Sequence, residues 1–278
     1  MMKKENKEIW LITGTSKGMG LQLTKHLLSL GHTVIATSRT LEVLEKKITD
    51  HKENLYAVNL DITSDQDVKE ALDGIIKKIG RIDVVVNNAG YSLVGSMEEM
   101  TDEEFRATMD VNLFGTVNII RNIIPYLRKQ QNGYIINISS NAGYVGFEKA
   151  ASYNAAKFAL IGISEALAQE VGNFGIRVTV VAPGQFRTEF MNSINYVKNR
   201  IEVYGVDEAE KMWSKFSGTQ PGDPDKLAEI LVQISKMEQP PLHLLLGTDT
   251  YELVTEKRKN EDAEFEKWKH LTLSTDFD

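Results

Sequence analysis

Ile9-Trp10-Leu11-Ile12-Thr13-Gly14-Thr15-Ser16-Lys17-Gly18-Met19-Gly20 passes from a short apolar run into a glycine-rich turn. The run has the length of a buried strand, not of a helix. Leu21, Leu23, Leu27, Leu28 and Leu30 follow at helical spacing, so the turn joins a strand to a helix. Glycines let the backbone come close to a pyrophosphate, and the free N–H groups and positive end of the helix favour an anion. The spacing is Gly-x-x-x-Gly-x-Gly, not the Gly-x-Gly-x-x-Gly of many dinucleotide folds. An ordinary glycine turn is the alternative. The strand before it and the helix behind it favour dinucleotide binding through Gly14, Gly18 and Gly20.

Working outward, residues 32–37 read as the second strand, and Ser38-Arg39-Thr40 follows it. An acid for a ribose 2′-hydroxyl is missing there. Arg39 could instead pair a 2′-phosphate, with Lys17 in the glycine turn as a second cation. This predicts NADP rather than NAD, unless both cations are merely solvated. Residues 41–48 look helical. Residues 55–60 read as a third strand closed by Asp61-Ile62, with Thr63 or Ser64 capping the next helix. Residues 82–86 give a fourth strand ending in Asn87-Asn88-Ala89-Gly90, whose small side chains leave room for a cofactor. One long helix is expected over residues 101–129, with acids in its first turn, Asn112 inside it and Pro125 kinking it. Residues 134–138, 177–181 and 242–247 complete the strands, the second of these ended by Ala182-Pro183-Gly184. Strands alternating with helices imply an α/β fold, a doubly wound parallel sheet with helices on both faces. No linker divides the chain, so residues 1–278 are expected to form one domain.

The fifth strand ends at Ser139-Ser140, where open α/β sheets bind ligands. Tyr153 and Lys157 follow, four apart, and so lie on one face of a helix. A free phenol has a pKa of about 10 and is a poor base at neutral pH. A nearby ammonium favours the phenolate, which predicts a lowered tyrosine pKa and general acid/base work. Ser140 could hold a carbonyl or hydroxyl oxygen beside them. Tyr-x-x-x-Lys also arises by chance as a surface pair, so its weight depends on the rest of the chain.

Composition narrows the classes. A net charge of −7 with no basic stripe argues against a nucleic-acid partner. Cysteine is absent, which removes disulfides and thiolate metal sites. His26, His32, His51, His243 and His270 have no ligand spacing, so no metal is expected. The start, Met1 to Asn6, has no apolar run and does not read as a signal peptide; no apolar stretch is long enough to span a membrane. A cytoplasmic protein is expected. Residues 185–222 lose regular periodicity but hold Phe186, Phe190, Met191, Tyr196, Tyr204, Met212, Trp213 and Phe216. They read either as an apolar lid over a site or as a packed helical insertion. The tail, residues 248–278, reads as a solvated surface helix over 251–269.

Taken together, Thr13-Gly14-Thr15-Ser16-Lys17-Gly18-Met19-Gly20, Asn87-Asn88-Ala89-Gly90, Asn112, Ser140, Tyr153-x-x-x-Lys157 and Pro183-Gly184 resemble the short-chain dehydrogenase/reductase family over residues 9–247. Ser38-Arg39-Thr40, Tyr91 and the ending Leu245-Leu246-Gly247 resemble its hydroxysteroid-dehydrogenase-like, NADP-preferring branch, which does not make a steroid the substrate. The resemblance implies a Rossmann-like sheet of seven strands and a tetrad of Asn112, Ser140, Tyr153 and Lys157. It makes Tyr153 the acid/base and Ser140 the group that orients the substrate oxygen. Lys157 would lower the tyrosine pKa and bind the nicotinamide ribose, and Asn112 would hold a relay water. The implied cofactor site takes Gly14, Ser16, Lys17, Gly18, Met19 and Gly20 from the turn. Arg39, Asp61 and Ile62 join at the adenosine end, with Asn88, Ala89 and Gly90 at the fourth strand tip and Pro183, Gly184 and Thr188 near the carboxamide. The expectation is an NADP-dependent oxidoreductase interconverting a carbonyl and a secondary alcohol on a small, apolar molecule. A homodimer or homotetramer through residues 101–130 and 151–171 is carried over from the family. Two rivals stand beside it: a non-catalytic NADP-binding regulatory or scaffold protein, and a sugar-nucleotide epimerase or dehydratase, for which the chain ends too soon.

Overall fold

The first strand, β1 (Ile9–Thr13), leads through the glycine turn into α1 (Gly18–Ser29). The computed structural model describes residues 7–277, so the reading of Met1 to Asn6 lies outside the described residues. β2 (Thr33–Ser38), α2 (Leu41–Lys47), β3 (Leu55–Asn59), α3 (Asp65–Ile79) and β4 (Val84–Asn87) complete the first half. A short strand β5 (Leu93–Val94) precedes α4 (Asp102–Met109) and α5 (Gly115–Gln130). β6 (Gly133–Ile138), α6 (Ala151–Val171) and β7 (Ile176–Pro183) follow. Then come β8 (Asn195–Tyr196), α7 (Val206–Phe216), α8 (Pro224–Ser235), β9 (His243–Leu246) and α9 (Thr248–Leu273).

The main sheet has seven strands in the order β3-β2-β1-β4-β6-β7-β9, and every adjacent pair is parallel. This is the doubly wound, Rossmann-like architecture expected from the sequence. Strand side chains alternate between two cores, as the period of two requires. Trp10, Ile12, Val34, Val84 and Ile136 face α1 and α8, whereas Leu11, Ile35, Val85 and Ile135 face α3, α5 and α6. The chain winds one way from β1 to β3 and the other way from β4 onward. The carboxyl ends of β1 and β4 therefore flank the crevice where such sheets bind ligands.

The long helix expected over residues 101–129 is not continuous. Thr101 and Glu104 form a capping box at the start of α4, but residues Asp110–Phe114 widen into a π turn before α5. Asn112 sits in that turn and donates to Thr108 O at 2.9 Å and to Tyr91 O at 2.9 Å. Its pull on two carbonyls from different segments is the local reason for the irregularity. Pro125 lies inside α5 without ending it.

Residues 185–222 form a structured insertion. β8 pairs in parallel with β5, and Leu93, Val197 and Val206 make a small core of their own. Glu99, only 1% exposed, accepts from Ile201 N at 2.7 Å and Ser96 N at 2.9 Å. Glu104 accepts from Lys198 N at 3.1 Å, and Tyr204 OH meets Glu98. α9 begins earlier and ends later than the expected 251–269, and most of its side chains beyond Val254 are exposed.

Candidate active site

α6 is held to the sheet by a buried polar chain. Asn87 Nδ2 donates to Asn137 Oδ1 at 2.8 Å, and Asn137 Nδ2 donates to Ser164 Oγ at 2.9 Å. Ser139 Oγ donates to Lys157 O at 2.9 Å, so the tip of β6 is tied to the first turns of α6. Asn154 folds the intervening loop onto the helix, donating to Ala142 O (2.8 Å) and Val145 O (2.7 Å) and accepting from Phe147 N (3.1 Å). A buried amide left without such partners would cost about 1–3 kcal/mol, so these bonds fix the register of the helix against the loop. The outcome is that Ser140, Tyr153 and Lys157 meet. Ser140 Oγ accepts from Ala142 N at 3.1 Å and donates to Asn141 Oδ1 at 3.0 Å. Lys157 is buried, its Nζ donating to Ile138 O at 2.9 Å and lying 5.5 Å from the centre of the Tyr153 ring.

The electrostatics differ from the sequence expectation. Burial pushes the Tyr153 phenol up to about 12, with a hydrogen bond from Ser140 pulling the other way. Burial also pushes Lys157 down to about 8. The lysine was expected to lower the tyrosine value. In the protein by itself, loss of water around both groups governs both values, because a charge in a poorly solvated site is costly in either one.

Asn112 is fully buried, with both amide protons committed to Tyr91 O and Thr108 O and with Oδ1 accepting from Tyr91 N at 3.1 Å. It clamps the segment after β4. A side chain at Gly90 would stand 2.5 Å from Asn112 Oδ1 and 3.6 Å from Lys157 Nζ, so only glycine lets these groups approach.

The glycine turn meets the tip of β4 in the same way. Thr13 Oγ1 accepts from Asn88 N (3.0 Å) and Ala89 N (3.1 Å), and Asn88 Nδ2 donates to Thr13 O (2.9 Å) and Gly14 O (3.1 Å). Gly14 has φ +71, and a Cβ there would lie 2.7 Å from Ala89 Cα. Ser16 and Met19 are half-buried in this turn. α1 starts at Lys17 without a side-chain cap and without an acid in its first turn. Above Gly18, the nearest atom to an added Cβ is Thr188 at 3.9 Å. The first turn of α1 thus has no side-chain cap and open space above Gly18, which fits a phosphate. Arg39 and Asp61 stand at the ends of the neighbouring strands β2 and β3. The Thr63 hydroxyl and N–H hold the Asp61 carboxyl low, and Arg39 adds to this. Ile62 is buried against Gly115.

A cavity of about 740 Å³ opens beside these groups. Ser140, Tyr153, Met19, Gly184 and Thr188 line it, together with the apolar Phe147, Phe186, Phe190, Met212 and Trp213. Pro183 also borders it, and Gly184 is pressed against Asp249, which accepts from Gln185 N at 2.8 Å. Sequence reading did not find Thr13, Glu99 or Asp249. Thr13 had a signal, a hydroxyl residue closing a strand before a glycine turn. The other two act on partners far away in sequence and left none.

Known proteins share this fold. A family model described as short chain dehydrogenase matches residues 8–199. "Oxidoreductase BOA17" of Botryotinia fuckeliana is 37% identical over 271 residues, 96% of this chain and 99% of that protein. The crystal structure of a short-chain dehydrogenase from Streptomyces avermitilis is 33% identical and superposes with a TM-score of 0.89, over 99% of this chain and 100% of the other. A structure of ElxO with NADP bound is 30% identical, with a TM-score of 0.74 over 86% of this chain and 96% of that one. Among the described residues no helix is long and apolar enough to cross a membrane, and no cluster of three or more His, Asp or Glu could hold a metal ion.

Proposed function

The chain belongs to the short-chain dehydrogenase family, and from that premise we propose an oxidoreductase that interconverts a carbonyl and a secondary alcohol with NADP(H), on an apolar substrate. The observation that carries this reading is the convergence of Ser140 and Tyr153 on one apolar cavity, with buried Lys157 behind Tyr153 and Met19 of the glycine turn also lining it. NADP is favoured by Lys17 and Arg39 near the turn, and by a relative of this chain that is known with NADP bound.

When bound, the nicotinamide cofactor supplies or takes up the hydride. The N–H groups of Gly14, Ser16, Gly18, Met19 and Gly20 would hold its pyrophosphate, and Lys17 and Arg39 its 2′-phosphate. Asp61 and Ile62 would border the adenine, with Asn88, Ala89 and Gly90 beneath the ribose. Lys157, Pro183, Gly184 and Thr188 would hold the nicotinamide end. In reduction Tyr153 gives its phenolic proton to the substrate oxygen, and in oxidation it takes that proton back. The phenol is protonated at neutral pH, as an ordinary tyrosine is, and this is the form needed for reduction. Ser140 turns its hydroxyl from Asn141 Oδ1 to the same oxygen and stabilises the charge that develops there. The Lys157 ammonium favours the phenolate once charge forms. Asn112 keeps Tyr91 and Gly90 in place behind it. Phe190, whose ring centre is 6.4 Å from that of Tyr153, keeps water from the reacting atoms. A homodimer or homotetramer belongs to the same proposal, with Phe114 and Phe158 exposed for contact.

The test is Tyr153→Phe. NADPH binding, followed by nicotinamide fluorescence, should be unchanged, while turnover on a ketone that the wild type reduces should fall about 10²- to 10⁴-fold. Wild-type turnover in the variant would overturn the mechanism.

A further inference from the structure

Residues 188–193 run from the glycine turn to Tyr153, and each end is fastened. Thr188 Oγ1 stands above Gly18 and accepts from Phe190 N at 3.2 Å. Phe190 packs near the Tyr153 ring. Between them and the cofactor side of the cleft lie two polar tethers. Lys17 Nζ donates to Ser193 Oγ at 2.7 Å, and Ser193 Oγ donates on to Glu189 O at 2.8 Å. Glu189 itself pairs with Lys47 of α2 at 3.1 Å.

An exposed lysine side chain has several rotatable bonds and gains little from one solvated partner. Lys17 is itself exposed, and its bond to Ser193 is what places the ammonium beside the turn. A lysine ammonium has three donors, so after bonding Ser193 it keeps two for a phosphate. Ser193 is well suited to the task. Its own proton is taken by Glu189 O, which turns a lone pair toward Lys17. The Glu189 carboxylate pairs with Lys47, while its main-chain carbonyl is the group that takes the Ser193 proton.

We propose that Ser193 is a cofactor-specificity residue that acts through Lys17, holding the ammonium where it meets the 2′-phosphate of NADP(H). This rests on the reading of Lys17 as a 2′-phosphate ligand. In this role Ser193 is a positioning residue, since it acts on the Lys17 ammonium. The same segment carries Phe190, so the contact also links the phosphate end of the cofactor site to the wall over Tyr153.

NADPH and NADH differ only in the 2′-phosphate, which makes their dissociation constants the readout. They are measured by nicotinamide fluorescence for the wild type, Ser193→Ala, Ser193→Thr, Lys17→Ala and the double variant. Losing one charge-assisted hydrogen bond, Ser193→Ala should weaken NADPH about 3- to 10-fold and leave NADH within about twofold. Ser193→Thr should keep the preference. In the Lys17→Ala background, Ser193→Ala should have no further effect on NADPH. Equal weakening of both coenzymes, unchanged NADPH affinity, or an undiminished effect in that background would overturn the proposal. If Lys17→Ala weakens NADPH and Ser193→Ala does not, only the role of Ser193 falls. If the wild type shows no preference for NADPH and Lys17→Ala costs nothing, the reading of Lys17 falls and takes this proposal with it. Should Ser193→Ala fail to fold, Ser193→Cys, of similar size and weaker as an acceptor, carries the same comparison.

Discussion

The glycine turn after β1 and the wall across the cleft from it close the same site by different physics. The turn is closed by glycine backbone, which Thr13 Oγ1 and Asn88 Nδ2 bond at main-chain groups. Gly14, Gly20, Thr13 and Asn88 approach so nearly that an added Cβ at Gly20 would lie 2.4 Å from Asn88 Nδ2 and 2.6 Å from Gly14 O. The wall is closed by side chains. Glu98, Glu99, Glu104, Lys17 and Lys47 reach across to staple residues 189–204 in place. A backbone contact leaves no choice of residue, whereas a side-chain staple can be exchanged and tuned. In the proposed function the turn would hold the cofactor phosphates and the wall would set which substrate enters.

The sharpest way to break this comparison is at Gly20. Gly20→Ala forces backbone to move, and overpacking of this kind costs about 1–3 kcal/mol of stability. It should also abolish NADPH binding, read by denaturant unfolding and by fluorescence titration. Wild-type affinity in this variant would mean that the turn is not the phosphate site. A smaller effect is expected at the wall. Burial alone would raise the Glu99 carboxyl, yet the N–H groups of Ile201 and Ser96 and the charge of Arg200 bring it below the usual range. Glu99→Gln offers one acceptor oxygen and turns an NH₂ toward a second donor. Leaving one of these groups unsatisfied costs about 1–3 kcal/mol, so the substrate KM should rise about 3- to 10-fold with the NADPH dissociation constant unchanged. An increase in both constants would show that turn and wall are not separable at this residue.

The smallest effect concerns pH. Lys157 has a folded pKa of about 8 against an ordinary 10.5, so between these values the unfolded chain holds a proton that the folded chain has lost. Stability from this group therefore rises with pH across that window and is lost as pH falls through about 8. Tyr153, raised from 10 to about 12, works in the opposite sense above pH 10. Urea unfolding at pH 8 and pH 10 should show the wild type gaining stability relative to Lys157→Met. The same pH response in both proteins would mean that Lys157 is not desolvated as the geometry implies.

Much of the site could be read in the chain because its determinants are local. Tyr153 and Lys157 are one helical turn apart, and the glycine turn is contiguous with β1 and α1. The strand pattern was legible for a similar reason, since a strand buried on both faces is a short apolar run wherever it occurs. The break at Asp110–Phe114 was not legible. It depends on Asn112 bonding Tyr91, and a helical pattern does not record a contact from outside the helix. The burial of Tyr153 was not legible either. The sequence shows that a lysine is near but not that both groups are shut away from water.

By itself, then, the sequence determined the order of the elements, the parallel sheet and the residue types at its strand tips, because periodicity, turn chemistry and helical spacing are properties of neighbours along the chain. Only the tertiary structure decided that Glu99 would hold Ile201, that Ser193 would hold Lys17 and that burial would govern Tyr153 and Lys157. Those outcomes depend on distances between segments up to 176 residues apart and on the exclusion of water, both of which exist only once the chain has folded.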